Sequence, residues 1–228
     1  VPKNVELNRT NESTKNGFDI VIGNPPYIRR TSIAEDSKKC YEKLYKSATK
    51  QYDMYLLFIE KGLSILKMSG HLCFINPIRF FNSDYGLGCR KIIIRENKLK
   101  SVLDVSQLPV FQNAMTYPCV LMIQHENNKN SDNSIIYKRL SNLSSLTDVD
   151  NIYGLVIPQN EISTDPKNKI IIDADPKMKN IVKKIDIKSD KIENLFFIAR
   201  GLANNKVDFE GTKYKALKST NVRRYFIE

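Results

Sequence analysis

Asn24, Pro25, Pro26 and Tyr27 follow directly on the apolar run Phe18 to Gly23, and these residue types in this order suit one kind of chemistry. Asn24 carries a side-chain carbonyl, a neutral acceptor of defined geometry, and Pro25 adds a backbone carbonyl. The two prolines stiffen the turn, so that both oxygens are aimed at one spot. Such a pair suits an amino nitrogen whose lone pair is conjugated into a ring and is therefore a poor nucleophile. The acceptors would take both amine hydrogens, draw the nitrogen toward tetrahedral geometry and present it in line with an electrophilic methyl group. Tyr27 adds an aromatic face. A base turned out of its duplex could stack there, a contact worth ~1–3 kcal/mol per base.

The surrounding pattern must place that turn. Residues 18–23 are expected to form a buried strand of a parallel sheet, and such sheets bind ligands outside the carboxyl ends of their strands. A polar, basic stretch from Arg29 to Lys50 reads as a long loop. Residues 52–68 have helical periodicity, with Met54, Tyr55, Phe58, Ile59, Gly62, Leu63 and Leu66 on one face and Gly70 placed to stop the helix. A strand from His71 to Ile75 ends at Asn76 and Pro77. A helix over 86–97, a strand from Leu99 to Val105, and strands at 118–124 and 134–140 complete the order. The last two are expected to pair as a hairpin. The pattern predicts an α/β fold: the second half of a doubly wound, Rossmann-like sheet with an antiparallel edge hairpin. Residues 1–140 would hold this half-domain and 141–190 a connecting region with a basic helix near 176–186. Residues 191–228 would begin another domain.

Lys and Arg number 36 against 25 Asp and Glu, a formal charge of +11, which favours a polyanionic partner such as nucleic acid. Arg29, Arg30, Lys38, Lys39, Lys43, Lys46 and Lys50 crowd the stretch after the turn, where they could grip phosphates or simply face solvent. Arg200, Lys206, Arg223 and Arg224 make a similar group near the far end. Cys40, Cys73, Cys89 and Cys119 with His71 and His125 have no zinc-like spacing, so no metal is expected. Cys73 and Cys119 lie in apolar runs and read as buried, reduced thiols. No apolar run approaches the ~20 residues of a membrane span. Val1 to Asn16 do not read as a signal peptide, so a cytoplasmic protein is expected.

The turn resembles motif IV of the adenine-specific amino-methyltransferases. The chain is closest in pattern to the gamma-type enzymes of type II and type IIG restriction–modification systems, in which a long loop, an aromatic-rich helix and a Gly-x-Leu/Ile strand follow. Tyr52 to Gly62 and Ser69 to Ile75 look like those last two elements, and Val110-Phe111 resembles the region of motif VIII. Ile198 to Lys206 and Leu217 to Tyr225 are similar to the opening of the target-recognition domain. There Ala203-Asn204 replaces the usual Thr-Gly, and Ser219-Thr220-Asn221 the usual Gly-x-Asp.

The resemblance implies S-adenosylmethionine as methyl donor and N6-methyladenine in double-stranded DNA as product, with a nuclease domain or subunit in the parent protein. Asn24 and Pro25 would hold the amine and Tyr27 would stack on the base, with Phe111 or Tyr117 at its far face. Pro26 and Tyr85 would line the donor's pocket, and the basic residues Arg29, Arg30, Lys38, Lys39, Arg200, Lys206, Arg223 and Arg224 would contact DNA. No glycine-rich donor loop precedes residue 18. The chain therefore reads as a piece lacking motif I, inactive by itself. Protein-glutamine and ribosomal RNA methyltransferases use similar chemistry and are the rival readings, as is a non-catalytic DNA-binding fragment.

Overall fold

The computed structural model describes residues 17–111, 116–126, 133–163 and 167–171, with scattered positions among 181–194 and at 222–223 and 226–227. The chain divides into two compact units, Val1–Asp173 and Ala174–Glu228.

The first unit is built on a six-stranded sheet. Its strands are β1 (Phe18–Gly23), β2 (Leu66–Pro77), β3 (Lys98–Asp104), β4 (Pro118–Gln124), β5 (Ser134–Arg139) and β6 (Leu155–Pro158). The helices are α1 (Glu35–Leu44), α2 (Met54–Ser64), α3 (Leu87–Glu96) and the short α4 (Gln159–Ser163). The strand order is β1-β2-β4-β3-β5-β6. β1 lies parallel to β2 and β3 parallel to β5, while β4 runs antiparallel to both β2 and β3. This is the mixed α/β class the sequence predicts.

The expected hairpin does not form. β4 is inserted between β2 and β3, and β5 lies beyond β3. The side chains explain the placement: Cys119, Leu121 and Ile123 are completely buried, so β4 needs a neighbour on each side. The polar stretch after Gln124 is long enough to carry the chain past β3. The antiparallel edge strand is instead β6, paired with β5.

Helix α2 buries Tyr55, Leu56, Leu57, Ile59, Glu60, Gly62 and Leu63 against the sheet. It ends at Ser64, six residues before Gly70, and Phe58 faces outward. Gly62 lets the helix approach the sheet, since a Cβ there would collide with the Leu72 side chain. Gly70 serves a kink within β2 instead, beside Ser69 at φ 64°. A Cβ at Gly70 would stand 2.9 Å from the carbonyl oxygens of Lys67 and Phe18.

From Gly70 onward β2 alternates, burying Leu72, Phe74 and Asn76 on the helix-covered side. β1 departs from its expected burial. It is an edge strand, and Phe18, Ile20 and Ile22 are 62%, 60% and 75% exposed, because nothing among the described residues covers that side. The stretch from Arg29 to Lys50 is no simple loop either. It holds a 3-10 turn at Arg30–Ser32 and helix α1, a mostly polar helix with no fully buried residue, whose Tyr41 packs partly against the core.

Residues 155–158 of the expected connecting region add β6 to the sheet. The core runs through Leu56, Leu72, Phe80, Ile93, Leu99, Leu121, Ile135 and Ile157. Arg90 is buried within it, and its guanidinium donates to the carbonyls of Phe80 and Ser83 (2.6 Å each) and of Lys167 (2.9 Å), fixing the turns after β2. In the second unit β7 (Val222–Arg223) pairs antiparallel with β8 (Phe226–Ile227). The expected basic helix near 176–186 and the expected recognition-domain opening fall largely outside the described residues. Among the described residues no helix is long and apolar enough to cross a membrane.

Candidate active site

The turn begins where β1 stops hydrogen bonding, at the carboxyl end of a parallel strand. Asn24 is exposed, Pro25 buried, Pro26 exposed and Tyr27 half-buried. The buried proline fits its place, since its missing N–H leaves no donor to satisfy. The outgoing chain is stitched to the start of α2. The Met54 amide donates to the Ile28 carbonyl at 2.8 Å, and Arg29 forms an isolated β-bridge with Asp53. Asp53 precedes α2 without capping it by its side chain. Burial pushes its carboxyl up, against the opposing pull of Arg29 and Arg79.

Three contacts hold Tyr27. Its hydroxyl donates to the Ile75 carbonyl at 3.2 Å. Its ring meets Tyr55 at 6.0 Å and 72°, and Phe111 at 5.8 Å and 88°, both edge-on. Burial, and after it the neighbouring Cys119, push the phenol up to about 12, so Tyr27 is uncharged at neutral pH. Tyr55 continues the cluster, with its ring against Phe80 at 5.9 Å and its hydroxyl 3.2 Å from that of Tyr85. Desolvation raises the Tyr55 phenol strongly.

Of the residues singled out from the sequence, Asn24, Pro25, Pro26, Tyr27 and Phe111 are brought together here, and Tyr85 joins them through Tyr55. Tyr117 is 60% exposed and makes none of these ring contacts. Pattern reading placed Tyr55 on a buried helix face, where periodicity alone gave no sign that it would pack on Tyr27. It also passed over Asn76, which ends β2 beside the turn. Asn76 is fully buried, and among the described residues neither its Nδ2 nor its Oδ1 has a hydrogen-bond partner. Its cross-strand neighbour is Cys119, equally buried.

The basic residues separate into two kinds. Arg29 is exposed beside the turn. Arg30 is committed: its Nε and Nη2 both donate to Glu42 Oε1 (3.1 and 2.8 Å), and its guanidinium lies over the Tyr52 ring at 5.8 Å. Lys38 pairs with Glu35 at 3.0 Å along α1, Lys46 pairs with Glu96 at 3.1 Å, and Lys39 is exposed. The segment after α1 is pinned by the buried Glu60, which accepts from the Lys46 amide and from the Ser47 amide and hydroxyl at 3.1, 2.8 and 2.7 Å. Arg200, Lys206 and Arg224 lie outside the described residues, and of Arg223 only its place in β7 is described. Among the described residues no group of His, Cys, Asp or Glu is arranged to hold a metal ion. Cys89 and Cys119 are buried, Cys73 is half-buried and Cys40 exposed, all as free thiols.

Comparison with known proteins supplies a lineage for this geometry. Residues 3–111 match the model of a family described as Eco57I restriction-modification methylase. The chain is 32% identical over 215 residues to the type II restriction enzyme and methyltransferase RM.Eco57I of Escherichia coli, covering 92% of this chain and 21% of that protein. It is 35% identical over 128 residues to the type II methyltransferase M.BstVI of Geobacillus stearothermophilus, covering 56% and 22%. The chain thus spans about a fifth of the length of these curated relatives. Its fold is like that of a type I restriction-modification methyltransferase subunit from Streptococcus thermophilus, with a TM-score of 0.53 and 15% identity over 75% of this chain and 40% of that one.

Proposed function

We propose that this chain, which matches the Eco57I restriction-modification methylase family over residues 3–111, carries the amine-holding half of a site that methylates the N6 amino group of adenine in DNA. The observation that carries this reading is the turn itself: an exposed Asn24 next to a buried Pro25 at a strand's carboxyl end, with an uncharged aromatic ring two residues on. The Asn24 Oδ1 and the Pro25 carbonyl accept the two amine hydrogens, and Tyr27 lies under the base. Because Asn24 is neutral it cannot take a proton outright, and the proton released on methylation leaves from the exposed side of the turn to solvent.

S-adenosylmethionine supplies an electrophilic methyl group when bound. The residues of this chain proposed to meet it are Pro26 and Tyr85, which are exposed and half-buried and so offer apolar surface to it. Double-stranded DNA is the proposed partner, with Arg29 the cation best placed to reach a phosphate beside the flipped base. Cleavage of DNA, named for the Escherichia coli relative, would belong to other parts of the full-length protein.

The test is to express the full-length protein in a methylation-free host and sequence the host genome for modified bases. One DNA motif carrying methyl-adenine throughout is the expected result. An unmodified genome together with methylated ribosomal RNA or protein glutamine would overturn it.

A further inference from the structure

Asn76 occupies a position where the physics of the fold favours an apolar residue. The side chains before it on the same side of β2 are Leu72 and Phe74, both buried, and its neighbour across the strand pair is the buried Cys119. A carboxamide has two donor hydrogens and an acceptor oxygen. Burying these without partners is costly, and a leucine of nearly the same shape would avoid the cost. Elsewhere the same sheet satisfies a buried amide completely. Gln159 makes four hydrogen bonds, of 2.7 to 2.9 Å, to Leu99, Asn133, Ile94 and Asn97. Buried polar groups left unpartnered in one state of a protein are often those that another state uses.

Tyr27 is tied to the strand end that carries Asn76. Its hydroxyl donates to the carbonyl of Ile75, the residue before Asn76. One hydrogen bond and two edge-on ring contacts hold it. A base that stacks on Tyr27 requires the ring's face, and the buried Asn76 can reach such a base only if the ring moves off the end of β2.

We propose that Asn76 is a specificity-determining contact of the target base: its Nδ2 donates to the unprotonated ring nitrogen next to the amine. The inference rests on the reading of Asn24, Pro25 and Tyr27 given above. It supplies what the acceptors of the turn lack. Two carbonyls hold an amine, but they do not test the ring position beside it. An amide donor there favours adenine and opposes guanine and thymine, which carry an N–H at the corresponding position.

The test uses the full-length enzyme and duplexes whose target adenine is replaced by 1-deazaadenine or 7-deazaadenine, each lacking one ring nitrogen but keeping the amine. With the natural side chain, 1-deazaadenine should lower kcat/KM by ~10-fold or more, the scale of a lost base contact, while 7-deazaadenine should leave it within about two-fold. In Asn76→Leu that penalty should shrink to within about two-fold while the melting temperature holds or rises. Asn76→Thr, which keeps a hydroxyl donor, should retain part of the penalty and guards against a leucine variant that fails to fold. An undiminished 1-deaza penalty in both variants, or a natural enzyme that loses nothing with 1-deazaadenine, would overturn the role of Asn76. Methylation of adenine by the natural enzyme in the same assays would show that the wider reading still stands. An enzyme that methylates no DNA adenine would remove both.

Discussion

Two buried amides in one sheet behave in opposite ways. Gln159, where β6 passes into α4, ties together the Leu99 amide, Asn133, and the carbonyls of Ile94 and Asn97. Asn133 closes the set by donating to the Leu99 carbonyl at 2.7 Å. At the carboxyl end of β2, Asn76 is just as buried, and its side chain bonds to nothing among the described residues. The first corner is scaffold: its polar groups are satisfied and its geometry does not depend on a ligand. The second lies beside the turn proposed to hold the amine, where a buried amide without side-chain partners costs stability that a leucine would keep. The lesson is that polar burial separates the part of this molecule built to stand from the part built to act.

That contrast can be broken by mutation. The largest effect is expected at the turn. Asn24→Ala in the full-length enzyme should lower single-turnover methyl transfer by about 10²–10³-fold, with DNA affinity and unfolding midpoint nearly unchanged. A parallel loss of stability would make Asn24 scaffold and dissolve the distinction. Next comes Gln159→Leu, which strands four buried groups at once and should cost about 3 kcal/mol in denaturant unfolding. The activity per folded molecule should not change.

Asn76→Leu should shift stability the other way, by about +1 kcal/mol; a loss comparable to that of Gln159→Leu would show that Asn76 is satisfied after all. A smaller effect is expected at the basic residues. Arg29→Ala should weaken DNA binding and reduce its salt slope by about one, as read from affinities across a salt series. Arg30→Ala should change the slope less, because Glu42 already engages its guanidinium.

The smallest effect concerns the Tyr27 phenol, whose folded value of about 12 lies above the usual 10.0. The folded state therefore keeps its proton longer than the unfolded one. The associated stability is fully present below pH 10 and is lost as pH rises toward 12. The tyrosinate absorbance difference between the natural protein and Tyr27→Phe should show no titration near pH 10. Ordinary titration there would mean that the ring is not packed as described.

The turn, α2, α3 and β2 to β5 were legible within a few residues, because their signals are local: two prolines after an apolar run, a helical period, alternation along a strand. The errors were non-local. Gly70 was read as a helix stop because a glycine after a periodic run usually is one, yet backbone crowding from Lys67 and Phe18 explains it. The run from Arg29 to Lys50 reads as a loop because charged residues swamp the few apolar side chains of α1, Tyr41 and Leu44. β4 and β5 looked like a hairpin because they are consecutive, and only competition for the sheet centre sent β4 between β2 and β3.

The sequence by itself determined the residues and stiffness of the turn and the alternation of helices and strands around it. Both follow from dihedral limits and side-chain period within a few residues. Tertiary structure decided the strand order, the exposure of β1, the seating of Tyr27 between Tyr55 and Phe111, and which buried amide found partners. A hydrogen-bonding group carries no label for its mate, so these outcomes depend on packing between segments far apart in the chain. Asn76 and Gln159 are the same chemical group, and only the company each keeps satisfies one and leaves the other without a side-chain partner among the described residues.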